Sequence, residues 1–201
     1  MSLRVLILFA HPAPHKSRVN RRLIQAVRGM DNVTINDLYE EYPTFDINVR
    51  REQELLLAHD IIVFQHPFYW YSSPAILKEW EDLVLEYGFA YGAGGTHLQG
   101  KLLLTAITTG APPQAYCRTG FNFFTIRELL IPFEQTAKFC GMRYLPPFVV
   151  QGAIHFKDET EINAHAQAYR HLIGGLRDGL LDLHEIEKRE RINEALPASV
   201  T

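Results

Sequence analysis

Residues 3–23 read LRVLILFAHPAPHKSRVNRRL. The run Leu3–Phe9 is apolar on both alternating sets apart from Arg4, which is how a strand covered on both faces reads. It stops at AHP. A helical pattern follows over Arg18–Arg28, with Val19, Leu23, Ala26 and Val27 on the inward side and Gly29 as its stop. Between strand and helix lie His11, His15, Lys16, Ser17, Arg18 and Asn20, many more hydrogen-bond donors and charges than a turn requires. A helix beginning near Ser17 aims its free N–H groups and positive dipole end at that loop. Two readings of Ser17 stand level on the residues alone. It holds an anion such as phosphate, with His11 and Asn20 as neutral donors and Lys16 and Arg18 as charge, or it only caps the helix.

The same alternation of short β-rich runs and helical patterns continues outward. Strands are expected at Val33–Leu38, Asp60–His66, Lys101–Thr108 and within Arg143–Gly152. The prolines of the last place it at an edge or delay its start. Helices are expected at 50–58, from Ser73 as N-cap and Pro74 as first residue, at Thr125–Phe139 with a bend at Pro132, and at Glu159–Leu180. In the helix after Pro74, residues Ile76, Leu77, Trp80, Leu83, Val84 and Tyr87 form one apolar stripe. Strand–helix alternation of this kind gives an α/β fold: a flavodoxin-like three-layer sandwich, its five-stranded parallel sheet in the order 2-1-3-4-5 with helices on both faces. The domain is expected over residues 1–184. Residues 185–201 are read as a charged tail, a solvated helix with a loose end.

The totals agree with one domain. The chain has 201 residues, 47% hydrophobic and 21% charged, with a net charge of -3; its pI is about 6.3. A chain this long buries roughly 70% of its unfolded surface. No basic excess points to nucleic acid. No apolar run approaches the roughly 18 residues of a membrane span, and no signal peptide is read, so the expectation is a cytoplasmic protein. Cys117 and Cys140 make neither a disulfide nor a metal pattern.

In an open sheet of this order, ligands bind outside the carboxyl ends of the strands, where the first and third part. Three loops lie there. The first is the opening one; it has neither a GxGxxG nor a GxxxxGK[ST] pattern. The second is HPFYWYSSP, residues 66–74, with Phe68, Tyr69, Trp70 and Tyr71 in a row behind Pro67. Such a run presents flat rings to a heteroaromatic ligand, or else forms a satellite cluster or a subunit interface. The third is TTGAPPQAY, residues 108–116, a turn whose Gly110 lets backbone N–H groups come close to a ligand, with Tyr116 as a phenol.

Together the motifs AHPxPHxSxxN at 10–20, LYxxYPxFDI at 38–47, QHPFYWYSSPAILKEW at 65–80, FAYGAGG at 89–95, TTG at 108–110 and CGMRYLPPF at 140–148 carry a resemblance. The chain resembles the NAD(P)H:quinone oxidoreductases, the DT-diaphorase-like family of flavodoxin-like flavoproteins, and most of all the ancillary proteins of glutathione-regulated potassium-efflux systems. The resemblance covers about residues 3–180. It implies FMN, with FAD as the larger alternative, and NAD(P)H as co-substrate of a ping-pong, two-electron reduction of a quinone or other small electrophile. By position, His11, Ser17, Arg18, Val19 and Asn20 hold the flavin phosphate. Pro67, Phe68, Tyr69, Trp70 and Tyr71 line the ring. Thr108, Thr109, Gly110 and Ala111 wrap its N1/O2 edge, where the amides of Thr109–Ala111 are expected to stabilise charge. Tyr116 and Asn122 fall at the catalytic positions beside the reduced ring. Two departures stand out: Ala111 where many relatives have a second glycine, and Asn122 where the DT-diaphorases have a histidine. The resemblance also implies a homodimer that shares the aromatic loop and residues 88–99. As the alternative role, it implies regulation of a membrane potassium-efflux antiporter at the inner face of the cell membrane. His66 and His97 are candidate surface proton donors, set against a purely structural role.

Overall fold

The computed structural model describes residues 2–196. Its sheet runs in the order β2-β1-β3-β4-β5, all parallel, from β1 (Val5–Phe9), β2 (Val33–Asp37), β3 (Ile61–Pro67), β4 (Leu102–Thr108) and β5 (Arg143–Tyr144). The expected order 2-1-3-4-5 is thus present. The fifth strand is in two pieces: after Pro146 and Pro147 the chain rejoins β4 as β6 (Phe148–Val150), Ala106 opposite Phe148. Proline has no N–H to give a ladder, so the pairing breaks where the two prolines sit.

Strands β1, β3 and β4 are buried along their whole length. Alternate residues feed separate cores on the two faces. Leu6, Leu8, Ile62, Phe64 and Leu103 meet α3 (Val49–Ala58), α4 (Ala75–Val84) and α6 (Ile131–Phe139). Val5, Ile7, Ile61, Val63 and Leu104 meet α1 (Val19–Val27) and α7 (Glu159–Arg177). Side chains that alternate across a strand require cover on both faces, and the helices supply it.

Several elements differ from the sequence expectations. The helix α1 starts at Val19, after a 3-10 turn at Pro14–Lys16. Its buried stripe includes Ile24, whereas Ala26 is only partly covered. The cap of α4 is Pro74, and the Ser73 hydroxyl is buried without a partner among the described residues. Leu83 and Tyr87 leave the predicted α4 stripe and face outward; Tyr87 is 66% exposed. The expected helix from Thr125 divides at Leu130 into α5 (Ile126–Leu129) and α6, since Pro132 cannot continue a helical ladder upstream. A single turn, α2 (Leu38–Glu41), sits where no helix was expected, started by the Asp37 carboxylate accepting from the amides of Tyr39 and Glu40.

The charged tail also departs from its expectation. Helix α8 (Leu183–Glu187) and a 3-10 turn at Ile192–Ala195 bury Ile186, Ile192 and Leu196 against the α7 face of the sheet. Three apolar residues among many charges make a docked strap rather than a solvated helix. The tail beyond Leu196 lies outside the described residues.

Candidate functional site

The carboxyl ends of β1, β3 and β4 open on a cavity of about 600 Å³. It is walled by the loop after β1, by Pro67, Phe68 and Tyr69 after β3, by Thr108, Thr109 and Gly110 after β4, and by Ala153 and Ile154 after β6.

At one end the donors are in place. The Ser17 hydroxyl oxygen accepts from the Asn20 amide at 3.1 Å, so Ser17 caps the helix while its O–H remains free to donate outward. Among the described residues, the amides of Arg18 and Val19 find no backbone or side-chain acceptor. They are the unpaired donors every helix start leaves over. Asn20 is buried and ties α1 to the sheet: its Nδ2 donates to the Thr108 hydroxyl at 2.7 Å, while its Oδ1 has no partner among the described residues. The Gln65 side-chain Nε2 donates to the Asn20 backbone carbonyl, and its Oε1 is also unpaired among the described residues. His11 accepts from the Ala13 amide through Nδ1 at 3.1 Å, which places its proton on Nε2. Burial lowers its pKa, so the ring is a neutral donor at pH 7. Lys16 lines the cavity and makes no ion pair among the described residues. Arg18 lines it too, but its guanidinium is turned to the Phe156 carbonyl and to Glu159, both at 2.9 Å, so its charge is largely answered within the protein.

The aromatic end is different. Phe68 is buried, its amide held by the Thr108 carbonyl at 2.9 Å. The next three rings turn out to solvent, Trp70 at 93% exposure. Trp70 and Tyr71 have φ of +49° and +63°, with Tyr69 and Ser72 bridged across them. That is a primed turn, which usually takes Gly, Asn or Asp. Two consecutive aromatic residues in left-handed backbone cost of order 1–3 kcal/mol each. The amides of Trp70 and Tyr71 have no protein acceptor among the described residues. The Tyr71 hydroxyl donates to Asn122 Oδ1 at 3.0 Å, which joins the second loop to the segment that follows the third.

In the third loop the Thr109 amide is already used, donating to the Val150 carbonyl at 2.9 Å. The expected three-amide edge therefore shrinks to Gly110 and Ala111. Gly110 has an ordinary φ, and an added Cβ would meet only the Ile154 side chain at 3.7 Å, so backbone conformation does not demand glycine there. Tyr116 sits outside the main cavity, lining a neighbouring one of about 250 Å³. Burial raises its phenol pKa, with the Thr109 hydroxyl acting the other way, so it stays protonated and can donate. Trp70, Tyr71, Ala111 and Asn122 are likewise not cavity walls, although Asn122 and Tyr71 bond to each other.

Of the two readings of His66, the structural one holds and the surface proton donor does not. The ring is fully buried beside Phe133, Nδ1 bonds the Pro67 carbonyl at 2.9 Å, and burial lowers its pKa to about 4. His97 is exposed but stacks on Phe89 and bonds its carbonyl. Sequence reasoning missed Ala153 and Ile154, because the loop after the proline-split fifth strand was not counted with the others. It also missed Glu52, whose buried carboxylate accepts from Tyr42, Asn36 and Trp80 at 2.6–2.8 Å and pairs with Arg51 at 2.6 Å. This hub ties Tyr42, in the Leu38–Ile47 segment, to Trp80 on α4; both lie in motifs of the sequence, whereas Glu52, Asn36 and Arg51 do not.

Residues 3–173 match the family model described as flavodoxin-like fold. A glutathione-regulated potassium-efflux system ancillary protein, KefG of Yersinia enterocolitica, is 48% identical over 166 residues, 83% of this chain and 90% of the relative. The structure of general stress protein 14 of Treponema denticola in complex with FMN is 38% identical, covers 86% of this chain and 99% of its own, and has a TM-score of 0.81. An NADPH-quinone reductase from P. pentosaceus is 35% identical over 85% of this chain and 97% of its own, with a TM-score of 0.77.

Proposed function

This chain belongs to the flavodoxin-like NAD(P)H quinone oxidoreductase family, and on that premise we propose that it is an FMN-dependent reductase of quinones acting by a ping-pong, two-electron mechanism. One observation carries the reading. A single cavity joins the free amides of Arg18 and Val19 and the cap Ser17 to the loop that begins with Phe68 and Tyr69. That is an anion seat at one end and flat rings at the other, the two halves of a phosphorylated flavin. The fit is chemical as well as spatial. Free N–H groups, a free hydroxyl, a neutral imidazole and Lys16 suit a phosphate monoester; the buried oxygens of Asn20 and Gln65 are acceptors without a donor among the described residues, and a phosphate would not satisfy them.

When bound, FMN would supply two-electron transfer from NAD(P)H to a quinone. The chain's part is orientation and charge. Arg18 and Val19 amides, Ser17 and the His11 Nε2–H would hold the phosphate, and Val19 and Asn20 would close the seat from the helix. Pro67, Phe68, Tyr69, Trp70 and Tyr71 would fix the ring plane, with the Trp70 and Tyr71 amides as donors along one edge. Thr108 and Thr109 would set the opposite turn, leaving the Gly110 and Ala111 amides to face developing negative charge as preorganised donors. The Tyr116 phenol, kept protonated by burial, would donate beside them, and Asn122 would hold Tyr71. Asn122 cannot carry a proton's charge at neutral pH, so stabilisation there is by dipole alone. NAD(P)H and quinone would occupy the same face in turn, and the exposed rings of Trp70, Phe121 and Phe123 would be covered by a second copy of the chain in a homodimer.

The test is the visible spectrum of the protein loaded with FMN. NADH or NADPH should bleach it without oxygen, and a quinone should restore it. Failure to take up FMN, or bleaching that no quinone reverses, would overturn the reading. The match to KefG supports a second role, as the ancillary subunit of a potassium-efflux antiporter. In that role a Tyr116→Phe variant slow in reduction should still stimulate efflux in vesicles carrying the antiporter. Among the described residues no helix is long and apolar enough to cross a membrane, so attachment would be through the partner.

A further inference from the structure

The family match ends at residue 173, yet the strap at 183–196 is docked on the sheet. Its contacts are specific. Asn193 uses its amide as a substitute strand: its Oδ1 accepts from the Val149 amide at 2.9 Å and its Nδ2 donates to the Val149 carbonyl at 3.2 Å. The Ile192 amide donates to the Pro147 carbonyl at 3.0 Å, and the Arg191 guanidinium donates to Gln151 Oε1 at 2.8 Å. Strand β6 has β4 on one side only, so these contacts satisfy its outer edge.

The same few residues hold the third loop from behind. The Val150 carbonyl accepts from the Thr109 amide, the Gly152 amide donates to the Ala111 carbonyl, and the Ala153 amide donates to the Thr109 carbonyl, at 2.9–3.0 Å. Ala153 and Ile154 then continue as a wall of the main cavity. A chain of hydrogen bonds thus runs from the strap through Val149–Ala153 to the Thr109–Ala111 turn. We propose that Asn193 and Arg191 are positioning residues for that turn, so that a segment beyond the family fold sets how the Gly110 and Ala111 amides are presented to the flavin. The link to the flavin rests on the function proposed above; the link to the turn does not.

The test follows amide hydrogen exchange by NMR in the flavin-free full-length protein. Asn193→Ala should speed exchange at Thr109, Val149, Gly152 and Ala153 at least tenfold, with amides of α1 and β1 unchanged. Arg191→Ala, a milder surface change, should act in the same direction on Gly152 and Ala153, and Arg191→Lys should restore most of the protection. FMN affinity should fall about tenfold in Asn193→Ala, with the loss confined to the flavin and absent for inorganic phosphate. Should Asn193→Ala fail to fold, the Arg191 pair decides. Exchange that is unaltered at 109 and 149–153, or raised equally through the sheet, would overturn the proposal. Selective exchange in a protein that takes up no FMN even as wild type would leave the strap-to-turn link standing and overturn only its flavin role.

Discussion

The two ends of the cavity are built on opposite plans. At the α1 end, Asn20, Thr108, Thr109 and His11 are buried, Asn20 bonds Thr108, His11 takes the Ala13 amide, and Thr109 bonds Val150 and Ala111, so the seat is built within one chain. At the aromatic end, Trp70 and Tyr71 are held in left-handed backbone, their rings face solvent, and the tip of the loop is tied by a bond from Tyr71 to Asn122. The contrast teaches where binding energy and where chemistry would reside. On the proposed function the finished end would grip a ligand alone, and a flavin ring or a second copy of the chain would complete the open end.

Acid should break the comparison most strongly. Both ends contain a histidine kept neutral by burial, but only His66, under the aromatic side, is buried outright with a pKa near 4. A lowered folded pKa means that protonation favours the unfolded chain. Stability is full above the unfolded value of about 6.5 and falls as pH drops towards 4, by roughly 3 kcal/mol in all. Urea denaturation at steps between pH 7 and 4 should show this slope for the wild type and a flatter one for His66→Gln; equal slopes would remove His66 as the cause.

Asn20→Leu should come next. It removes the bond to Thr108 that joins α1 to β4, and FMN affinity should drop about a hundredfold by calorimetry, near 2.7 kcal/mol. Trp70→Ala should cost only about tenfold at the open end and should shift sedimentation towards monomer. Tyr116→Phe should slow flavin reduction about tenfold in stopped flow with unchanged FMN affinity, which would separate chemistry from grip. Arg18→Ala should be the smallest effect. Its pair with Glu159 is half-exposed, and such pairs contribute below about 1 kcal/mol to stability, so FMN affinity should change less than fivefold.

The sequence told these regions apart unevenly. Strands β1, β3 and β4 were legible because burial on both faces leaves an unbroken apolar run, and the loop after β1 because donors crowd a helix start. His66 was open to two readings, since it ends an apolar strand and begins an aromatic run; the strand continues through it to Pro67 and buries it. The strap was hidden by composition: Ile186, Ile192 and Leu196 are few among charges, and only the three-dimensional edge of β6 gives them something to cover. The loss of the Thr109 amide to Val150 was equally out of reach, because the prolines masked where the fifth strand resumes.

The central claim is that the finished end holds a phosphate. Parallel titration of the protein with FMN and with riboflavin, followed by quenching of flavin fluorescence, measures that directly. FMN should bind one per chain and riboflavin at least a hundredfold more weakly; equal affinity for the two would contradict the account.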